Sequence, residues 1–288
     1  MANTQDIRRR IKSIRNTAQI TKAMQMVAAS RMRRAQQRVG ASRPYSEHLF
    51  SIVADITGQS GAAGHPLLVK REVSNVGIVI VSPDRGLAGA LVTNLNRETL
   101  RLLRTIDVPV RVIAVGRKAR DFTLRVRQNL VAEFTGMGDQ PNAAQVGPIA
   151  QQILDDYESG AVDQVFLVYT EFISTLRQKP RTVQLLPVVP PEQTEQQSVD
   201  SPWEYEPDNP EAVLSDLLPR FLEFTIYQAL LESAASFHSA QMVAMSNATD
   251  NAKELVSDLT LLANKARQAD ITKEISEISG AAEAIRAG

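Results

Sequence analysis

Apolar and small side chains recur every three or four residues along the first 39 residues, which contain neither glycine nor proline. Steps that alternate between four and three predict an α-helix packed along one seam against another helix, as in a coiled coil. A second apolar stripe, Ile20, Met24 and Val27, lies on a neighbouring face of this helix. Gly40 and Pro44 either end the helix or kink it. The seam itself consists of Ile7, Ile11, Ile14, Ala18, Thr21, Gln25, Ala28, Met32, Ala35 and Val39.

A longer seam of the same kind runs through the end of the chain. No glycine or proline occurs from Arg220 to Ser279, and a helix over that range is about 90 Å long at ~1.5 Å per residue. Because the two seams match in apolar character, pairing the terminal helices buries both, and we expect an antiparallel coiled coil. The second seam consists of Leu217, Phe221, Phe224, Gln228, Leu231, Ala235, His238, Met242, Met245, Thr249, Ala252, Val256, Leu259, Ala263 and Ala266.

The middle of the chain follows a different pattern. Short β-branched runs at Val76–Val81, Val110–Val115 and Val162–Tyr169 predict strands, and helical patterns at about 92–105 and 142–158 separate them. This alternation predicts a parallel sheet with covering helices. The fold class is therefore a long antiparallel coiled coil of the N- and C-terminal helices with an inserted Rossmann-like α/β domain. The predicted parts are an N-terminal coiled-coil helix (1–58), the α/β domain (74–190), a loop or loose hairpin (191–210) and a C-terminal coiled-coil helix (211–286).

Charge is distributed unevenly, although the formal net charge of the chain is zero. Residues 1–43 carry eleven lysines and arginines and one acid, Asp6, so the segment has a charge of +10 and the remainder −10. Such a segment suits an acidic partner surface, and a nucleic acid is the alternative. Residues 1–44 contain no aromatic side chain for base stacking, however, and small residues separate the arginines, which favours a protein partner. The basic helix surface consists of Arg31, Arg33, Arg34 and Arg38.

The turn after the first predicted strand, SPDRGLAGA (residues 82–90), is the one segment that resembles a phosphate-binding loop. Gly86 and Gly89 do not complete a dinucleotide fingerprint, and the chain contains no P-loop motif. The alternative is a tight turn in which Asp84 or Arg85 fixes the start of the next helix. We therefore expect no nucleotide at this turn. An α/β enzyme would need such a loop or a convergent acid–base set, and the sequence shows neither.

Other catalytic and metal-binding patterns are missing from the sequence. The chain has no cysteine, which excludes disulfides and thiolate metal sites. His48, His65 and His238 are scattered without metal-ligand spacing, and His238 falls on the seam, where a packed helix residue is expected. No run approaches the ~20 apolar residues of a membrane span, and the N-terminus lacks the apolar core of a signal peptide. We expect no catalytic residue, cofactor or metal.

Four segments, in order along the chain, resemble a known family. They are ITKAMQMVAASRMRRAQ (20–36), SPDRGLAGALVTN (82–94), YEPDNPEAVLSDLLPRFLEFTIYQALLES (205–233) and MVAMSNATDNAKELVSDLTLLANKARQADITKEISEISGAA (242–282). Together they resemble the gamma subunits of the rotary F-type ATP synthases, and the resemblance runs essentially from end to end.

The resemblance implies a role as a rotor shaft. In that family the terminal helices form an antiparallel coiled coil, present in single copy, inside a ring of three alpha and three beta subunits. The α/β domain sits with the epsilon subunit on a membrane ring of c subunits. Ion flow turns the c-ring and the shaft, whose asymmetric face drives the catalytic sites of beta through different conformations, for ATP synthesis or, in reverse, hydrolysis. Because the ATP chemistry takes place on the beta subunits, the resemblance implies that this chain is non-catalytic, holds no cofactor and binds no nucleic acid.

The resemblance also assigns contact residues. Met24 matches the family's N-terminal methionine at the contact with the beta-subunit lever, and Gln268, Thr272 and Glu274 match its C-terminal polar contact set at the same level. The alternative is that these three are ordinary exposed polar residues of a helix. Gln241 stands where the family usually has arginine, which places that contact in doubt.

Two further features concern the C-terminal signature and the cellular location. The family's closing signature is one residue short before Gly280. Each residue turns a helix by ~100°, so contacts from that position onward are not transferred. The chain lacks the cysteines of the chloroplast dithiol insertion, and we expect no transit peptide before the first motif. By resemblance we expect a bacterial protein, peripheral on the cytoplasmic face of the inner membrane.

Overall fold

Two long helices, one at each end of the chain, dominate the secondary structure of the computed structural model, which describes residues 4–57, 65–137, 141–189 and 210–287. Helix α1 spans Thr4–Thr57 and helix α5 spans Pro210–Ala287. Helix α1 continues through Gly40 and Pro44, so neither residue ends it. An interior proline costs a helix about 3 kcal/mol, and burial of Val39 before it and Leu49 after it offsets that cost.

Both predicted seams are turned away from solvent. All ten seam positions of α1 and all fifteen of α5 are buried or half-buried. Most residues between the seam positions of the first helical turns, such as Arg8, Arg9 and Arg10, are exposed. The step of three and four residues therefore identified the packed side of each helix correctly, because side chains at that spacing share one face.

The chain divides into two compact units, and the first consists of residues 1–27 and 242–288. Within it, Ile7 and Ile11 at the start of α1 form an apolar cluster with Ala263 of α5. Further along α1, the buried hydroxyl oxygens of Thr21 and Thr249 lie 2.7 Å apart and share a hydrogen bond. The partner's number falls as the number along α1 rises, so the two helices pair antiparallel, as predicted.

The second unit consists of residues 28–241 and contains the sheet as well as the adjoining parts of both long helices. Ala35 and Val39 of α1 pack with Leu231 and Ala235 of α5. Ser42 donates a hydrogen bond to the side-chain oxygen of Gln228 at 2.6 Å. The pairing is antiparallel here as well.

The sheet of the second unit consists of β1 Val76–Val81, β2 Val110–Val115, β3 Asn129–Phe134, β4 Gln164–Phe172 and β5 Gln178–Leu186. The strands lie in the order β3-β2-β1-β4-β5. Strands β1 to β4 run parallel to one another, whereas β5 pairs antiparallel with β4. The predicted parallel sheet is therefore present but carries one antiparallel edge strand. The helices between the strands are α2 Leu91–Leu103, α3 Arg117–Arg125 and α4 Gly147–Glu158, with a short 3₁₀ turn at Ala143–Gln145.

Helices cover both faces of this sheet. On one face, α2 and α3 bury Leu95, Ala119 and Phe122 against alternate residues of the central strands. On the other face, α4 packs together with α1 and α5 in the larger core of the unit. Because β1 is covered on both sides, all six of its residues are buried, which explains its continuous apolar run.

The sequence patterns missed α3, β3 and β5. Strand β3 is a half-exposed edge strand, and β5 is a polar edge strand that contains Pro180, which pairing at only one side tolerates. Helix α3 is short and buries only Ala119, Phe122 and Thr123. The predicted loop or hairpin at 191–210 lies outside the described residues apart from Pro210, which begins α5.

Candidate functional site

Three of the four arginines of the basic helix surface lie together on α1. Arg31, Arg34 and Arg38 line one shallow recess of about 10 Å³ beside Pro141 and Leu231. Their spacing places them on one face of the helix. Arg33, also exposed, does not line that recess. A recess of this size holds at most about one water molecule, so this surface suits contact with a partner's side chains rather than a buried ligand.

Met24 lies at the edge of the helix pair in the first unit. Its side chain is half-buried, one turn after Thr21. Of its predicted stripe, Ile20 and Val27 are 61% and 51% exposed. Large apolar side chains clustered on an exposed helix face mark a surface for a partner. The stripe is therefore available for contact.

The polar set near the C-terminus is fully exposed. Gln268, Thr272 and Glu274 all point to solvent, and the Thr272 hydroxyl donates to the Gln268 carbonyl at 2.9 Å. Gln268 and Thr272 are four residues apart and share a helix face, whereas Glu274 lies on another. Every described side chain from 267 to 282 is exposed.

The structure does not place Met24 and this polar set at the same level, so that expectation is wrong. Thr21 pairs with Thr249, and Met24 and Gln268 lie on opposite sides of that pair along the antiparallel helices. At ~1.5 Å per residue the two are separated by roughly 30 Å along the helix axis. They form two separate candidate surfaces. Two further residues singled out by sequence, Gln241 and Gly280, are half-buried and exposed, respectively.

The turn at 82–90 is held by Asp84. One carboxylate oxygen accepts a hydrogen bond from the backbone N–H of Arg117 at 2.9 Å, and the other accepts from the N–H of Gly136 at 3.0 Å. The prediction that Asp84 fixes the next helix is thus only partly correct, because it fixes the start of α3, and α2 begins without a side-chain cap. Gly116 has a φ of 93°, and an added Cβ would lie 1.8 Å from the Ser82 carbonyl oxygen.

A partly buried ionisable cluster in the second unit was not predicted. Arg181 of β5 donates to the Glu171 carboxylate of β4 at 2.7 Å, and Glu232 of α5 accepts from Gln228 at 2.9 Å. Burial raises the pKa of the Glu232 carboxyl, and burial also raises the pKa of the Tyr169 hydroxyl. The only sequence signal was a single acid, Glu232, beside the seam in an otherwise apolar stretch.

The histidines do not form a site in the described part of the chain. His238 is 1% exposed and packs against Phe237, as expected for a seam residue, His65 is buried and His48 is exposed. No three histidine, aspartate or glutamate side chains of the described residues come together as metal ligands. Among those same residues, neither long helix offers a stretch apolar enough to cross a bilayer.

Comparison with known proteins identifies the family. The family described as ATP synthase matches residues 3–285. The ATP synthase gamma chain of Dehalococcoides mccartyi (strain CBDB1) is 50% identical over 287 residues, 99% of this chain and 100% of the relative. That of Roseiflexus castenholzii (strain DSM 13941 / HLO8) is 49% identical over 290 residues, 99% of each chain.

Solved structures share the fold. A chain of the Euglena gracilis mitochondrial ATP synthase, in an OSCP/F1/c-ring structure in rotational state 3, superposes with a TM-score of 0.69 and 20% identity, covering 99% of this chain and 95% of that one. At this identity the superposition supports the fold alone. Together with the full-length sequence matches, the paired terminal helices and the inserted sheet lead to one conclusion: the chain belongs to the family of ATP synthase gamma chains.

Proposed function

We propose that this chain is the central rotor shaft of an F-type ATP synthase and couples ion flow through a c-ring to conformational changes at catalytic sites on the beta subunits. The observation that carries the proposal is the antiparallel pairing of α1 and α5, seen in the Thr21–Thr249 hydrogen bond, in a chain with full-length gamma-chain relatives. The chain is a non-catalytic subunit, and the ATP chemistry occurs on its partners.

The helix pair has the stiffness that a shaft requires. Two helices that bury matched seams bend less than one helix alone, since bending either would separate side chains packed across the seam. The seam carries small residues, including Ala28 and Ala252, both buried, which let the two backbones approach closely. Torque applied at one end of such a pair is transmitted along it.

Coupling requires that the shaft contact each catalytic subunit differently at each angle, since only differential contacts shift a conformational equilibrium. The first unit carries two different candidate surfaces: the apolar stripe around Met24 and the polar set Gln268, Thr272 and Glu274. The basic helix surface adds charges that can pair with acidic residues on a partner and release them as the shaft turns. We assign the rotor–stator contacts to these three surfaces.

We further propose a single copy of the chain in a complex with three alpha and three beta subunits, an epsilon subunit and a c-ring. The supporting observation is that the solved chain of the same fold comes from an F1/c-ring structure. The location that follows is peripheral, on the cytoplasmic face of the inner membrane of a bacterium, with no nucleic acid among the partners.

An engineered cross-link tests the rotor role directly, because the chain has no cysteine of its own. Thr272→Cys, at an exposed position, is assembled with beta subunits that carry one introduced cysteine facing the shaft. Oxidation should stop ATP hydrolysis, and reduction should restore it, since a rotor bonded to its stator cannot turn. A disulfide inside the shaft, between Thr21→Cys and Thr249→Cys, is the matched control and should leave hydrolysis unchanged. Hydrolysis that continues with the shaft bonded to beta would refute the rotor role.

Two substitutions test the individual contacts in the assembled complex. Met24→Lys adds a charge to the apolar stripe at a half-buried position, and it should lower proton pumping per ATP hydrolysed while leaving the helical content unchanged. Unchanged pumping per ATP would remove Met24 from the contact surface. Gln241→Arg restores the family's usual cation and should change the hydrolysis rate or the coupling. An identical rate and coupling would show that position 241 is no contact.

A further inference from the structure

A cavity of about 220 Å³ lies in the second unit at the carboxyl edge of the sheet. The ends of β1 and β2, at Val81 and Val115, and the residue Gly136 shortly after β3 form its floor. The turn that contains Arg85, and Arg117 at the start of α3, form its rim. Open α/β sheets bind their ligands outside the carboxyl ends of the strands, so this is the edge at which a ligand is expected.

Helix α5 closes the cavity from the other side. It presents one continuous stripe, with residues at the spacing of a single helix face. The stripe consists of Leu230, Ser233, Ala234, Phe237 and His238. Ala234 has the smallest side chain of the five and lines the cavity, so we expect a larger residue there to fill part of it.

The charge of the rim is positive. Arg85 and Arg117 are both exposed and both line the cavity. Asp84, the acid of the lining, is already compensated: its carboxylate accepts backbone N–H groups from Arg117 and Gly136 and lies 3.9 Å from the Arg117 guanidinium. A ligand therefore meets two guanidinium groups at the mouth and, inside, apolar side chains together with the buried polar side chains of Ser82, Ser233 and His238.

The volume of the cavity limits the size of the part of a ligand that it can enclose. A protein cavity of about 150 Å³ accommodates benzene, and drug-sized ligands need about 300 Å³ or more. A nucleotide would therefore extend beyond the cavity, and the turn at 82–90 lacks the complete glycine pattern that holds its phosphates. The remaining class is one ring or a short apolar body that carries a single anionic group.

We propose that this cavity binds a small monocyclic organic anion, with the ring between Phe237 and the strand ends and the anionic group at Arg85 and Arg117. A bound molecule would contact α5 and the carboxyl ends of β1 and β2 together, and so hold the helix against the sheet. This proposal does not depend on the rotor role, because ligand binding is measured on the purified full-length chain without other subunits.

Calorimetric titration of the full-length chain with phenyl phosphate tests the proposal, with inorganic phosphate and benzyl alcohol as the two half-ligands. We expect phenyl phosphate to bind at least about tenfold more tightly than either, because burial of the ring and pairing of the charge each contribute. Equal binding of inorganic phosphate would place the anion on exposed arginines and overturn the proposal. Absence of phenyl phosphate binding would overturn it as well.

Two variants locate the site. Ala234→Phe fills the cavity and should reduce phenyl phosphate affinity at least about tenfold. The double variant Arg85→Gln with Arg117→Gln leaves the packed interior unchanged and should weaken binding by about tenfold, since each exposed ion pair contributes modestly. Arg104→Gln combined with Arg125→Gln, an equal loss of two charges at exposed positions outside the cavity lining, should stay within about twofold. Unchanged phenyl phosphate affinity in both cavity variants would contradict the assignment of the binding site to this cavity. An equal loss of affinity in the control would contradict it as well.

Discussion

A disulfide between positions 21 and 249 is the sharpest test of the helix pairing. The Thr21 and Thr249 hydroxyl oxygens lie 2.7 Å apart, which brings the two Cβ atoms close to the separation of about 3.5–4.5 Å that a disulfide requires. Thr21→Cys combined with Thr249→Cys should therefore form an intramolecular disulfide under mild oxidation. No native cysteine can compete with it.

The expected stabilisation follows from the length of the loop that the disulfide closes. The two positions are 228 residues apart in sequence. The chain-entropy relation gives an upper limit of about 5 kcal/mol at 25 °C for a loop of that length, less any strain in the folded state. The unfolding midpoint in urea of the oxidised protein should therefore lie above that of the same protein after reduction.

Non-reducing electrophoresis shows the cross-link as a faster-moving monomer that dithiothreitol converts back. Lys22→Cys combined with Thr249→Cys is the matched control: Lys22 is the next residue along α1 but is exposed, and it does not face the seam. Failure of the 21/249 pair to close, or equally efficient closure of the control, would refute the antiparallel register and with it the shaft.

Three further predictions concern the stability of the full-length chain, measured by urea unfolding. Ile7→Ala should lower the free energy of unfolding by about 2 kcal/mol, since Ile7 is only 4% exposed and packs with Ala263. Ile20 is 61% exposed, so Ile20→Ala should change it by no more than about 0.5 kcal/mol. Equal losses of stability in the two variants would contradict the assigned seam. Asp84→Ala should cost about 2 kcal/mol, because it leaves the N–H groups of Arg117 and Gly136 without their acceptor, and an unchanged midpoint would show that the bonds are replaced. The raised pKa of Glu232 means that the folded chain favours the protonated carboxyl. The stability that this carboxyl contributes is therefore fully present below the ordinary glutamate pKa and is lost as pH rises through the raised value. Glu232→Gln should therefore be more stable than the natural chain above that range and equal to it at low pH, and parallel curves at all pH values would exclude this titration.

The helical seams could be predicted because they depend on local spacing alone. Residues such as Ile11 and Ala263 identify the packed face of their own helix without knowledge of the partner. The antiparallel pairing could also be predicted, since each terminal helix has an apolar seam and pairing the two helices buries both seams. The strands β1 and β2 were equally clear, because strands covered on both faces form nearly continuous apolar runs, interrupted here by the charged Arg111 near the start of β2.

Other features depended on neighbours that sequence patterns do not reveal. The edge strand β5 is polar and contains Pro180, so it becomes a strand only by pairing with β4. Asp84 follows β1, yet its partners Arg117 and Gly136 come after β2 and β3, and only the order of strands brings them together. The separation of Met24 from Gln268 likewise required the register of the helix pair.

The sequence by itself determined which faces of the terminal helices are buried, the covered strands of the sheet and the family, because these depend on periodicity and on residues close together in the chain. The tertiary structure alone decided the register of α1 against α5, the polar contacts of Asp84 and Glu232, and the cavity beneath Ala234. Each of these depends on which distant residues meet, and side-chain spacing along one helix or strand carries no information about the partner's register.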